Sequence, residues 1–314
     1  MKPIDLIFET DVGSDCDDMM DLAYLAYAQR EGAVQLRAVT YSNGVPEGPA
    51  AIRTMLRTLG TPVPPIGIPA TPMKPYEHYC RQVVSRFGTA EDLAPTENAV
   101  KVLRRALAQS ENAVICAVGA MTNISDLLKS LPDEISPLNG VELVHQKCAK
   151  VVLMAGIFDP AVTRIEWNIH LDVAAAQNVA KSCPVPVFWL PSETGTDIIT
   201  GGPALEKYGE DTPLSLSFCL FPGVKKKGGR HSWDPVTAMY AVEGCRDFLT
   251  ESRCGTVTVD GEGRTAFLPD ANGLHRVLTV PEQPGLTQAE RKALVAAYID
   301  GCAMKIMADY FTVH

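Results

Sequence analysis

Strand-length apolar runs alternate with helix-length amphipathic stretches from Ile4 to Leu190. Ile4 to Thr10 reads as a buried strand, and Asp17 to Arg30 as a helix. Val34 to Ser42 is a second strand, and Pro49 to Leu59 a helix closed by Gly60. A Pro-rich stretch, Thr61 to Ile68, holds a short strand, and Thr96 to Ser110 is helical. Strands at Ala113 to Val118, Lys150 to Ile157 and Pro186 to Leu190 then alternate with helices at Asn123 to Leu131 and Val173 to Lys181. This order predicts an α/β fold: a mostly parallel open sheet with helices on both faces.

Beyond Pro191 the pattern changes. Pro203 to Leu220 is helical in pieces, and another helix begins at Asp234. Thr256 to Val280 reads as a small antiparallel element around Asp260-Gly261-Glu262-Gly263 and Asn272-Gly273. Thr287 to Tyr310 is a terminal helix, with Thr287 as cap and Glu290 three residues on. No repeat or low-complexity linker divides the chain, so one domain, 1–314, is expected.

Composition narrows the function classes. The net charge is -9, and the only basic run, Lys225-Lys226-Lys227, adjoins Gly228 and Gly229 as a solvated loop would. An acidic chain without a basic face is a poor nucleic-acid binder. No stretch approaches the ~20 apolar residues of a membrane span, and the acidic start does not resemble a signal peptide. The nine cysteines form no Cys-x-x-Cys pair. They fit reduced thiols in a cytoplasmic protein.

In open parallel sheets, ligands bind outside the carboxyl ends of the strands. The first strand is followed by Asp11-Val12-Gly13-Ser14-Asp15-Cys16-Asp17-Asp18, and the second by Asn43. Gly119-Ala120-Met121-Thr122-Asn123 follows the third, and Glu166-Trp167-Asn168 lies in a loop further on. Helix capping accounts for one or two of four carboxylates within eight residues. A hard divalent cation, calcium first among them, accounts for all four. The run is not an EF-hand loop, because the Gly and Glu of that loop are missing.

Glu9-Thr10-Asp11-Val12-Gly13-Ser14-Asp15-Cys16-Asp17-Asp18 resembles the Asp-x-Asp-Pro-Gly-x-Asp-Asp signature of the inosine–uridine-preferring nucleoside hydrolases, with two extra residues before the paired aspartates. Four more segments agree in order: Val118 to Ile124, Met154-Ala155-Gly156, Glu166-Trp167-Asn168-Ile169 with Asp172, and Trp233-Asp234-Pro235. The resemblance implies a calcium ion held by Asp11, Asp18, Asp234 and the Val118 carbonyl. It implies Asp11 as general base and Asp17 at the ribose hydroxyls. Met154, Glu166 and Asn168 fall where the family holds ribose, and Asn43, a further substrate-binding candidate, matches a polar position after the second strand. The substrate implied is a nucleoside or similar N-riboside, and the assembly a homodimer or homotetramer.

Some positions depart from the family pattern. Glu9 stands for the first aspartate and Val12 for the proline. Asp15 is extra, so either Asp15 or Asp17 faces the ribose. Trp233 stands where many members carry a histidine that protonates the leaving base. An indole N–H is a donor but no useful acid at neutral pH. Leaving-group activation then falls to stacking on Trp233 or Trp167, or to His231 as acid. The same departure motivates an alternative, a metal- and ribose-binding protein with weak or no catalysis. A phosphohydrolase of the Asp-x-Asp type would need a nucleophilic aspartate at Glu9 and is set aside.

Overall fold

The computed structural model describes residues 2–71 and 73–313. The expected domain 1–314 thus runs one residue past them at each end, and His314 lies outside them. Within them an eleven-stranded sheet forms the centre. Its parallel strands are β1 (Ile4–Thr10), β2 (Val34–Tyr41), β3 (Ile66–Ile68), β4 (Glu97–Asn98), β5 (Ala113–Ala117), β6 (Cys148–Met154) and β7 (Val187–Leu190). They lie side by side in the order β4-β3-β2-β1-β5-β6-β7.

Two short strands outside this sheet, β8 (Ile199–Thr200) and β9 (Arg230–His231), pair with each other. Four more follow: β10 (Thr250–Glu251), β11 (Gly255–Val259), β12 (Thr265–Pro269) and β13 (His275–Thr279). The antiparallel element near the C-terminus is therefore not free-standing. β11, β12 and β10 join antiparallel around β13, and β13 continues the main sheet parallel to β7.

Alternation along β1 builds a core on each face. Leu6 and Phe8 join Met19, Leu22 and Tyr41 on one side. Ile7 joins Leu103, Ile115 and Leu127 on the other. The helix Asp17–Arg30 is buried along most of its length, because it packs between the sheet, the helix Trp233–Glu243 and the terminal helix Gln288–Val313. That burial explains its lack of a polar stripe.

The chain runs outward from β1 through β2, β3 and β4, then returns to β5 on the other side of β1. The order therefore reverses between β1 and β5, and a crevice opens at their carboxyl ends. Asp11 follows β1 there, and Val118 follows β5 with its N–H donated to the Glu9 carbonyl at 2.8 Å.

Most differences from the sequence reading are small shifts of boundary. The helix expected from Thr96 begins at Ala99, because Glu97 and Asn98 pair with β3 and Asn98 caps the helix. Helices Cys80–Phe87, Gly140–Lys147 and Trp167–Leu171 go beyond the sequence reading, and the last occupies a segment that reads as a loop. The capping box of the terminal helix is present, with Glu290 and Thr287 bonded reciprocally at 2.7 and 3.2 Å. Among the described residues no helix is long and apolar enough to cross a membrane.

Candidate active site

The acidic turn is fixed by three devices. Gly13 takes φ 102°, a left-handed conformation that disfavours side chains. The buried Tyr79 hydroxyl accepts the Gly13 N–H at 2.8 Å and donates to the Asp15 carbonyl at 2.6 Å. The Tyr41 hydroxyl donates to the Val12 carbonyl at 3.0 Å. Gly119 supplies the close approach opposite: a Cβ there would stand 2.5 Å from Ser42 Oγ and 3.0 Å from the Asp11 nitrogen.

The four aspartates of the turn separate into distinct environments. Asp15 forms a bidentate ion pair with Arg230, with Nε 2.8 Å from Oδ1. Asp17 accepts the Trp233 and Asp234 N–H groups at 3.0 and 3.2 Å through Oδ2, which caps the helix Trp233–Glu243. Its Oδ1 is buried without a partner. Asp18 Oδ1 accepts the Thr10 hydroxyl and the Asp11 N–H, and its Oδ2 is likewise orphaned. Oxygen atoms of Asp17, Asp18 and Asp234 lie within 4.8 Å of one another.

Three buried carboxylates at that spacing, with two orphaned oxygens, are costly unless a cation joins them. Burial raises the pKa of all three, and neighbouring carboxylates raise it further. Their all-oxygen donor set suits a hard divalent ion. Asp17, expected at the ribose, stands in this group, whereas Asp11 is outside it and joined to it by its N–H bond to Asp18 Oδ1 at 3.2 Å.

Asp11 lines a cavity of about 330 Å³ together with Asp17, Val118, Met154, Glu166, Trp167, Asn168, Trp233 and Asp234. Burial pushes Asp11 up to about 7 against a lowering hydrogen bond from Ser14. Burial also pushes Glu166 up to about 7, although the N–H groups of Asn168, Ile169 and Gly156 bond its carboxylate. Glu166 thus caps the short helix Trp167–Leu171. Asn168 Nδ2 donates to the Val118 carbonyl at 2.6 Å and the Met154 carbonyl at 3.0 Å, so Asn168 ties β5 to β6.

The remaining expected residues are placed as follows. Asn43 holds Tyr76 by a pair of hydrogen bonds, 2.8 and 2.9 Å, and donates to the Asp11 carbonyl at 3.2 Å. It lines adjoining cavities rather than the one above. The Trp233 indole N–H donates inward to the Ser192 carbonyl at 2.9 Å and to Thr196 Oγ1 at 3.2 Å, while its ring lines the cavity. Gly195 permits this packing, since a Cβ there would stand 2.5 Å from Trp233 Cδ1. Trp167 is 42% exposed and donates to Ser14 Oγ at 3.2 Å. His231 sits outside the cavity lining with Nδ1 accepting the Asp197 N–H at 2.9 Å. Burial and the adjacent Arg230 lower its pKa.

Sequence reasoning missed Arg164, Ser192, Phe221 and Arg230, all on the cavity wall. None sits in a chemistry-bearing motif. Arg230 reaches the site by pairing with a residue 215 positions away, and its guanidinium lies 4.9 Å over the Trp233 ring.

The family model described as inosine-uridine preferring nucleoside hydrolase matches residues 6–304. An inosine-uridine preferring nucleoside hydrolase from Bacillus anthracis superposes with TM-score 0.70 at 18% identity, over 97% of this chain and 100% of that one. A purine-preferring ribonucleoside hydrolase from Gardnerella vaginalis gives TM-score 0.70 at 19% identity, over 95% and 98%. The type III effector protein XopQ, solved in complex with adenosine diphosphate ribose, gives TM-score 0.67 at 17% identity, over 97% and 94%. At these identities the likeness is one of fold. Among curated proteins none matches.

Proposed function

The chain belongs to the inosine–uridine preferring nucleoside hydrolase family, and we propose that it hydrolyses the N-glycosidic bond of a ribonucleoside or similar N-riboside to ribose and free base. The observation that carries this reading is the buried cluster of Asp17, Asp18 and Asp234, in which one oxygen of Asp17 and one of Asp18 are orphaned, next to Asp11 at the sheet's switch point. The fold family implies calcium, and these residues fit it. Asp18, Asp234 and Asp17 would hold the ion, with Asp11 and the Val118 carbonyl at the cavity side. When bound, calcium supplies a water of lowered pKa.

The chain's own groups do the rest. Asp11 takes the proton of the attacking water as general base. Asp17, Glu166, Asn168 and Met154 orient the ribose, with Asn43 bracing the turn from behind. The carboxylates favour the positive charge that grows on the ribose ring in an oxocarbenium-like transition state. On the leaving side, the Trp233 and Trp167 rings stack the base. The inward indole donation of Trp233 and the placement of His231 support stacking over proton donation by either.

The eleven-stranded sheet, which joins strands from residue 4 to residue 279, supports reading the whole chain as one domain. We place it in the cytoplasm, where its free cysteines stay reduced. We expect a homodimer or homotetramer, by the same resemblance. The test is incubation of the purified protein with calcium and a panel of purine, pyrimidine and nicotinamide ribosides, measuring reducing sugar and free base. Equal amounts of both are expected from at least one substrate; none across the panel overturns the activity.

A further inference from the structure

We infer that the substrate carries an oxyanion, and that Arg164 with Ser192 receives it. The inference rests on the ribohydrolase reading and names a substrate class within it. Two guanidinium groups line a cavity whose other charged groups are all carboxylates. Arg230 is committed, because Asp15 meets its charge in a bidentate pair. Arg164 is exposed, has no ion pair among the described residues, and donates to Ser192 Oγ at 2.5 Å.

Ser192 is a built partner rather than a surface hydroxyl. It is buried and opens the short helix Ser192–Gly195 that follows β7. Its N–H donates to the Gly156 carbonyl at 2.9 Å, and its carbonyl accepts from Trp233 Nε1 at 2.9 Å and Thr196 Oγ1 at 2.7 Å. Its Oγ accepts from Arg164, which leaves its own O–H to donate into the cavity. A guanidinium and a fixed hydroxyl donor on one wall form a cradle for a carboxylate or phosphate. Glu166, on the same cavity, is close enough to feel the Arg164 charge but forms no ion pair with it, and a neutral nucleoside adds no counter-charge.

The oxyanion has two chemical sources, a carboxylate on the leaving base or a phosphate on the ribose 5′ oxygen. Wild type and Arg164→Gln are assayed for kcat/KM on matched pairs: uridine against orotidine, nicotinamide riboside against nicotinic acid riboside, and each neutral riboside against its 5′-monophosphate. The expected result is a preference for the anionic member in the base arm or the phosphate arm. Arg164→Gln reduces that anionic-to-neutral ratio by about 10- to 100-fold, the scale of a lost charge-assisted hydrogen bond. Arg164→Lys restores part of it.

Neutral preference in both arms, or equal loss on both members of a pair, overturns the inference; equal loss would make Arg164 a positioning residue for Glu166. If no riboside is cleaved, the ribohydrolase reading fails and the cradle is read by binding. Ribose 5-phosphate, orotate and nicotinate are then compared with ribose and uracil for thermal stabilisation. An anion-specific rise absent in Arg164→Gln sustains the cradle, and no rise with any anion overturns it.

Discussion

Asp17 holds the backbone of Asp234: one carboxylate oxygen accepts the Asp234 N–H at 3.2 Å and the preceding Trp233 N–H at 3.0 Å. The bond joins the first acidic turn to a helix that begins 216 positions later. The same carboxylate caps that helix, keeps its other oxygen without a partner, and belongs to the cluster with Asp18 and Asp234. Under the proposed function, helix cap and cation ligand are one side chain.

Substitutions at Asp17 separate the two roles. Asp17→Asn keeps an acceptor for the two N–H groups but weakens cation binding. Asp17→Ala loses both, and costs about 1–3 kcal/mol in the presence of chelator. Denaturant melts with chelator and with calcium measure each part. An Asp17→Ala variant as stable as wild type in chelator would contradict the cap.

Stability and pH are linked through the buried carboxylates. Asp11 and Glu166 are pushed up to about 7 from ordinary carboxylate values near 4. A raised folded-state pKa gives stability that is full below the unfolded value and lost as pH rises through the folded one. The cation-free protein is therefore expected to lose stability between about pH 4 and 8. A bound cation favours the ionised forms, so the rise in Tm on adding calcium should widen from pH 5 to pH 8. A rise that narrows with pH would sink this account.

Trp233 tests stacking against proton donation. Trp233→Phe keeps an aromatic ring on the cavity wall but loses the bond to the Ser192 carbonyl. Trp233→Ala loses the ring as well. Stacking predicts a much larger fall in kcat/KM for Trp233→Ala than for Trp233→Phe, by about 10-fold or more. Equal falls would point to the indole N–H instead.

Gly119 is where the backbone must pass close to the candidate base. In Gly119→Ala the new Cβ meets Ser42 Oγ at 2.5 Å and the Asp11 nitrogen at 3.0 Å, so Asp11 must shift. A displacement of even about 1 Å costs on the order of 100-fold in turnover. Circular dichroism and kcat together check this; a folded variant with wild-type kcat would contradict the placement of Asp11.

Much of this arrangement is legible in the sequence because local pattern dictates it. Ile4 to Thr10 and Asp17 to Arg30 fall within the expected bounds, one a strand-length stretch centred on Leu6-Ile7-Phe8 and the other helix-length. The acidic turn follows from being a polar run after a buried strand. The helices Cys80–Phe87 and Trp167–Leu171 are too short for a period to show. Gly140–Lys147 is also short, yet its capping box, Asn139 with Glu142, is a visible signal that was missed. The allocation of Asp15 and the presence of Arg164 and Arg230 are not local properties. They depend on contacts across the fold: Arg230 with Asp15, and Arg164 with Ser192. No spacing encodes those.

The most direct measurement of the central claim follows ribose release from an N-riboside through removal and return of calcium. The account predicts ribose and free base in equal amounts with calcium, none after chelation, and recovery on adding calcium back. In Asp18→Asn the recovery should require far more calcium. Ribose release that continues unchanged in chelator, or release from no N-riboside under any condition, would contradict it.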